Sequence, residues 1–153
     1  MDSQTPKLLA DCMLGRLAKW LRLLGYDTTY YNAASDPALA RRARVEGRTL
    51  LTRDHELSKR RGLDTLLIES QVLEEQIEQV QRQIPISPQA ALSRCSICNV
   101  VLEPIAPEEA AAHVPPYILR TQETFQRCPA CQRIYWAGTH IDEMRQQIDA
   151  FKG

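Results

Sequence analysis

A chain of 153 residues, 44% hydrophobic and 25% charged, has the composition of an ordinary soluble globular protein and can bury a sizeable core. No apolar run approaches the ~20 residues of a membrane helix. "MDSQTPKLLAD" also lacks the basic-then-apolar layout of a secretion signal, so the expected setting is cytoplasmic, without a membrane. Net charge is zero, yet residues 1–62 hold 12 Lys/Arg against 7 Asp/Glu, and residues 63–153 hold 7 against 12. That asymmetry points to a basic working face in the first half.

In chain order, "KLLA" (7–10) is a short apolar run that ends at Asp11. "MLGRLAKWLRLLG" (13–25) places Leu14, Leu17, Ala18, Leu21 and Leu24 at helical spacing, and Gly25 stops it. "TTYY" (28–31) has strand composition. "DPALARRARVEG" (36–47) predicts a helix with Pro37 in its first turn and Gly47 past its end. "TLLT" (49–52) is a strand, "HELSKRRG" (55–62) a helix, and "TLLI" (65–68) another strand. "QVLEEQIEQVQRQI" (71–84) puts Leu73, Ile77, Val80 and Ile84 on one helical face. Strands alternating with helices of this length predict an α/β fold over residues 1–84, with a parallel sheet covered on both faces.

Loss of pattern and two prolines mark "IPISPQAALS" (84–93), with the linker proper placed at 85–93. Residues 94–153 are expected to form a small subdomain held by metal, with little periodicity before a closing helix over 141–151.

Four of the five cysteines fall into two pairs, Cys95/Cys98 and Cys128/Cys131. Two residues between thiolates let one tight turn present both sulfurs to one ion, and two such turns complete a zinc tetrahedron. Four unpaired thiols, or a redox pair, is the alternative. A redox pair is expected to follow a strand in a βαβ unit, and neither pair does. The intervening segment exceeds the usual ribbon spacing, so "PIAPEEAAAHVPPYIL" reads as an insertion. With four thiolates the zinc would be structural, leaving no open position for chemistry. His113 and His140 then fit surface or supporting roles. Arg127, Arg133, Tyr135 and Trp136 near the second pair could bind RNA or pack.

In a parallel α/β sheet, sites form outside the carboxyl ends of the strands. Asp11 follows the first strand, Asp54 follows "TLLT", and Asp36 opens the helix between. Each has a competing role as a helix N-cap, with Asp36 before Pro37 the best of the three. Together on one edge they would repel one another, and a bound cation would relieve that. Carboxylates suit Mg2+ or Mn2+, which keep several waters, and such ions support phosphodiester hydrolysis. Arg16 and Lys19, with Arg22 along the same helical stripe, and Arg53 beside Asp54 could grip phosphates, or form a solvated face. Cys12 reads as a buried small hydrophobe.

"LLADCMLGRLAKWLRLLGYDTTYYN", "SDPALARRARVEGRTLLTRDHEL" and "RCPACQRIYWAGTH" together resemble one family across roughly residues 7–140. It is the PIN-like ribonuclease domain with a C-terminal zinc ribbon, known from the C-terminal region of the Mut-seven exonuclease and from stand-alone prokaryotic proteins. The resemblance implies a metal-dependent ribonuclease in which acidic residues hold divalent ions. Asp11 matches the acid after the first strand, and Asp36 the one opening the second helix. Asp54 matches the acid of the T-x-D motif, here "TRD" with Thr52. Glu69 is the nearest candidate for a fourth acid, although it matches no motif of the family. The expected substrate is RNA, preferentially single-stranded, with the ribbon orienting RNA or a protein partner. The rival expectations are a non-catalytic RNA-binding or ribosome-associated module, and a toxin-like nuclease held by an inhibitor.

Overall fold

A computed structural model describes residues 5–136 of the chain. Four strands, β1 (Lys7–Ala10), β2 (Asp27–Tyr30), β3 (Thr49–Thr52) and β4 (Thr65–Leu67), form a parallel sheet in the order β2-β1-β3-β4. Helices α1 (Gly15–Leu23), α2 (Asp36–Glu46) and α3 (His55–Ser58) join successive strands, and α4 (Leu73–Gln83) follows the last. The expected α/β architecture is therefore borne out. No helix among the described residues is long and apolar enough to cross a membrane.

Apolar runs become two-faced layers through the strand period of two. Leu8, Ala10 and Leu51 pack on one side with Leu17, Leu21, Ile77 and Val80 from α1 and α4. Leu9 and Leu50 pack on the other with Leu39, Ala43 and Leu57 from α2 and α3. The register Ala10↔Tyr30, Ala10↔Leu51 and Thr52↔Leu67 brings the carboxyl ends of all four strands to one edge. Because β2 lies to one side of β1 and β3 to the other, the connections diverge between β1 and β3. Such a switch point opens a crevice there.

Helix ends differ in detail from the expected ones. Ser35, not Asp36, caps α2: its hydroxyl accepts from the Ala38 N–H, and Asp36 is the first helical residue. The helix expected over 55–62 stops at Ser58, where the Thr65 hydroxyl donates to the Ser58 carbonyl as the chain turns back toward β4. Gly25, at φ 105°, does more than end α1. A Cβ there would collide with the Ala90 carbonyl, so glycine lets the 84–93 stretch lie against the helix. Ile84, Ile86 and Leu92 in that stretch pack on the α1/α4 side, and the Leu92 N–H donates to the Leu23 carbonyl at 2.8 Å.

The cysteine-bearing segment is more regular than its sequence suggests. Strands β5 (Glu103–Ile105), β6 (Phe125–Arg127) and β7 (Ile134–Trp136) form an antiparallel sheet. The 104–119 insertion carries helix α5 (Pro107–Ala110) and most of helix α6 (Pro116–Thr121), whose Ala110 and Ile118 pack with Val114 and Phe125 in a small core. Three-residue strands and one-turn helices are too short to display a hydrophobic period, so sequence alone shows little pattern. The helix expected over 141–151 and His140 lie outside the described residues.

Candidate active site and metal centre

The carboxyl edge is built by the residues that come directly after each strand. Asp11, an acidic residue, is only 3% exposed. Its Oδ1 accepts the Cys12 N–H at 2.7 Å and its Oδ2 accepts the buried Thr52 hydroxyl at 2.6 Å. That same Thr52 oxygen accepts the Asp54 N–H at 3.0 Å. Thr52 thus ties the end of β1 to the end of β3 across the switch point, a role its sequence motif does not reveal. Asp54 caps α3, with Oδ1 taking the Glu56 and Leu57 N–H groups at 2.9 and 3.3 Å, while Oδ2 has no hydrogen-bond partner among the described residues. Asp36 stands exposed at the first turn of α2.

Cys12 is exposed, contrary to the buried role expected of it. Burial raises its thiol pKa even so, and the negative fields of Asp11 and then Asp36 raise it further. The three carboxylates nevertheless do not close into a tight ligand set. Among the described residues, the one group of three or more Cys, His, Asp or Glu side chains clustered closely enough for a single ion is the cysteine quartet. Glu69 is exposed just beyond β4, its N–H held by Gln79 Oε1 at 3.0 Å.

The basic residues divide. Arg16 and Lys19 are exposed on α1, and Arg53 is partly buried beside Asp54 with a buried Nε that finds no acceptor among the described residues. Arg22 turns away from the stripe expected of it. Its Nε donates to the Thr28 carbonyl at 2.8 Å, and one terminal nitrogen reaches the Ser96 and Ile97 carbonyls at 3.0 and 3.2 Å. At the end of β2, an open hollow of about 550 Å³ is lined by the run from Tyr30 to Ala34.

The sulfurs of Cys95, Cys98, Cys128 and Cys131 lie within 4.8 Å of one another, a set that can hold one zinc ion in tetrahedral geometry. Two matching turns present them. In the first, the Asn99 N–H donates to the Cys95 carbonyl and the Cys95 N–H to Val100. In the second, the Gln132 N–H donates to Cys128 and the Cys128 N–H to Arg133. Asn99 and Gln132 both take positive φ, 63° and 68°, to close them. Burial pushes the Cys95 thiol up, but bonds from the Tyr135 hydroxyl and from the Cys98 and Ile97 amides outweigh it, leaving a pKa of about 7. Cys98 moves the other way: burial first, then its bond with Cys131 and the charge of Cys95, push it up to about 12, so the cluster readily holds one thiolate and a cation is needed to draw out the rest. His113 is exposed and outside the cluster, as expected.

Tyr135 and Trp136 serve packing: Tyr135 lies against Cys95 and Ser96, and Trp136 against the Phe125 core. Arg127 faces Glu103 and Glu109 at 3.8 and 3.7 Å.

The first turn also docks on the free edge of β2. Asn99 Oδ1 accepts the Thr28 N–H at 3.0 Å, and Asn99 Nδ2 donates to Asp27 Oδ1 at 2.8 Å. Arg48 adds a 2.9 Å bond to the same carboxylate, with Arg94 at 3.9 Å. Sequence reasoning missed this contact, although an Asn directly after C-x-x-C, a residue tolerant of positive φ, was the available signal.

A family model described as the Mut7-C RNAse domain matches residues 6–148. No curated protein and no solved structure matches the chain.

Proposed function

Since the chain belongs to the Mut7-C RNAse domain family, we propose that it is a divalent-metal-dependent ribonuclease whose chemistry takes place at the carboxyl edge of the parallel sheet. The observation that carries this reading is the buried Asp11 carboxylate, joined through the Thr52 hydroxyl to the Asp54 turn at the switch point. A charged group taken out of water is costly unless it is well compensated. A hard cation is the compensation that its chemistry favours. Asp11, Asp54 through Oδ2, and Asp36 on the neighbouring connection are the residues that would hold Mg2+ or Mn2+, with Glu69 as a further carboxylate on that edge.

When bound, such an ion supplies a nucleophilic water at neutral pH and neutralises charge on phosphate oxygens. The protein's own part is orientation. Thr52 fixes the Asp11 carboxylate so that it need not reorganise when substrate arrives. Arg53 beside Asp54, and Arg16 and Lys19 exposed on the adjoining helix, would hold phosphates beside the scissile bond. The zinc ribbon docks at the amino end of β2, through Asp27 and Thr28, and in this reading offers a separate surface for single-stranded RNA or a protein partner. A cytoplasmic setting fits such a substrate.

The test is cleavage of defined single-stranded RNAs with and without Mn2+, on the wild type and on Asp11→Asn/Asp54→Asn. Cleavage should appear only with the divalent ion and fall to the metal-free background in the variant, with an unchanged circular dichroism spectrum. Undiminished cleavage by the variant would overturn the scheme. One observation favours a second reading, a non-catalytic RNA-binding module: both Asp11 oxygens and Asp54 Oδ1 are already hydrogen-bonded within the protein. It predicts RNA binding with no cleavage under any divalent condition.

A further inference from the structure

We infer that the outward face of α2 and the α3–β4 turn form a second phosphate-binding surface, which holds single-stranded RNA flanking the acidic edge. The inference builds on the ribonuclease reading but stands on different residues. Arg41, Arg42 and Arg44 on α2 and Lys59, Arg60 and Arg61 in the turn are all exposed. They come from segments some fifteen residues apart, and the fold joins them: the Arg44 guanidinium donates to the Arg61 carbonyl at 3.2 Å.

The charge of this surface is not balanced locally. Arg48, Arg82, Arg94 and Arg127 each face a carboxylate. Among the described residues Arg41, Arg44, Lys59, Arg60 and Arg61 face none. Arg42 has only Glu46 at 3.4 Å, and Glu46 is engaged more closely by Arg48 at 2.6 Å. The nearby Asp64 carboxylate accepts the Thr49 hydroxyl. Folding of α2 requires only its inward Leu39, Ala40 and Ala43, and mixed charges outside would serve solubility as well. Instead, the residues between Asp36 and Glu46 include three arginines and no acid. Like charges gathered in this way repel, and a polyanion relieves the repulsion while releasing its own counterions.

Position decides which polyanion. Helix α2 opens at Asp36 on the acidic edge, so Arg41 to Arg44 lie about 8–12 Å from it at ~1.5 Å per residue. Arg42 stacks over the Tyr31 ring at 5.1 Å, and Tyr31 lines the hollow at the end of β2. An aromatic-lined hollow contiguous with arginines suits an unpaired base followed by its phosphates. An acidic polypeptide would have no use for the hollow.

The experiment measures fluorescence anisotropy of a labelled 20-nucleotide single-stranded RNA with the zinc-loaded full chain, without Mg2+ or Mn2+, across a NaCl series. For R41Q/R44Q/R60Q/R61Q, the slope of log K against log[NaCl] should be less steep by about 3, as expected for four lost phosphate contacts at ~0.7 each. Affinity at 100 mM NaCl should fall about tenfold or more, with thermal unfolding unchanged. Wild-type slope and affinity in the variant would overturn the inference. So would competition by poly-glutamate as effective as unlabelled RNA at equal charge, which would point to an acidic protein partner. The assay reads no cleavage, so a wild type that binds through these arginines yet cuts nothing overturns the ribonuclease reading alone.

Discussion

The molecule carries a cluster of four thiols and an edge with three aspartates, and they are assembled in opposite ways. The four thiols come from two local turns of the same design and lie already within 4.8 Å of one another. The three aspartates come from three separate strand-to-helix connections, which the sheet brings to one edge without closing the carboxylates into a tight ligand set. Two of them are held by hydrogen bonds within the protein. A soft ion bound by thiolates can serve as the core of a segment too small to fold on apolar burial alone. A hard ion that works on substrate needs ligands that a folded sheet positions independently of it. The comparison therefore separates a site that makes its structure from a site that its structure makes.

The largest effect should come from breaking the first. Cys95→Ser should lose the bound zinc, read by metal analysis. It should also open the ribbon to limited proteolysis, because structural zinc contributes on the order of 10 kcal/mol to small metal-held folds. Hydrogen exchange at the Thr28 amide should rise in the same variant, since Asn99 leaves with its turn. The parallel sheet should remain folded, as its core contains none of the zinc ligands.

Thr52→Val breaks the second site without changing its shape much. It strands the buried Asp11 Oδ2 and the Asp54 N–H, and should cost about 3 kcal/mol in urea unfolding. If the site is catalytic, cleavage should fall more steeply than stability predicts. Cys95→Ser and Thr52→Val together should add nearly independently, because the sites share no residue.

Asp27 tests the seam between the two regions. Burial raises its pKa, but bonds from Asn99 and Arg48 and the Arg48 and Arg94 charges win, and the net shift is downward from 3.8. A carboxylate held below its unfolded value stabilises the fold above that value, and the contribution fades as pH falls through the lower folded value. Asp27→Asn should therefore cost about 2 kcal/mol at pH 7, with the two proteins converging in acid below pH 3.8. Denaturant titrations at pH 7 and pH 3 measure the difference. The smallest effect belongs to Ser35→Ala, which removes the α2 cap and should cost about 1 kcal/mol while leaving the zinc site unchanged.

Much of this was legible from sequence because the determining signals are local. C-x-x-C is a turn and a ligand pair at once, so its chemistry could be read without knowing the fold. Apolar runs such as "TLLT" and the helical period of 71–84 placed strands and helices for the same reason. The errors occurred where a competitor lay next door or far away. Ser35 took the cap expected of Asp36 because its hydroxyl precedes the helix by one residue. Arg22 left its stripe for carbonyls more than seventy residues on, which no helical wheel can show. Cys12, read as buried, is exposed: it opens a short turn, Cys12–Leu14, whose buried residue is Leu14.

What the sequence determined alone was the alternation of elements, the four-thiol ligand set and the acidic residue that ends each of two strands, all properties of spacing along one chain. What only the tertiary structure decided was the strand order that opens the crevice between β1 and β3, the Thr52 bridge across it, and the docking of the first cysteine turn on β2. Those depend on hydrogen bonds between groups distant in sequence. Such groups become neighbours only after the core has chosen which strands lie side by side.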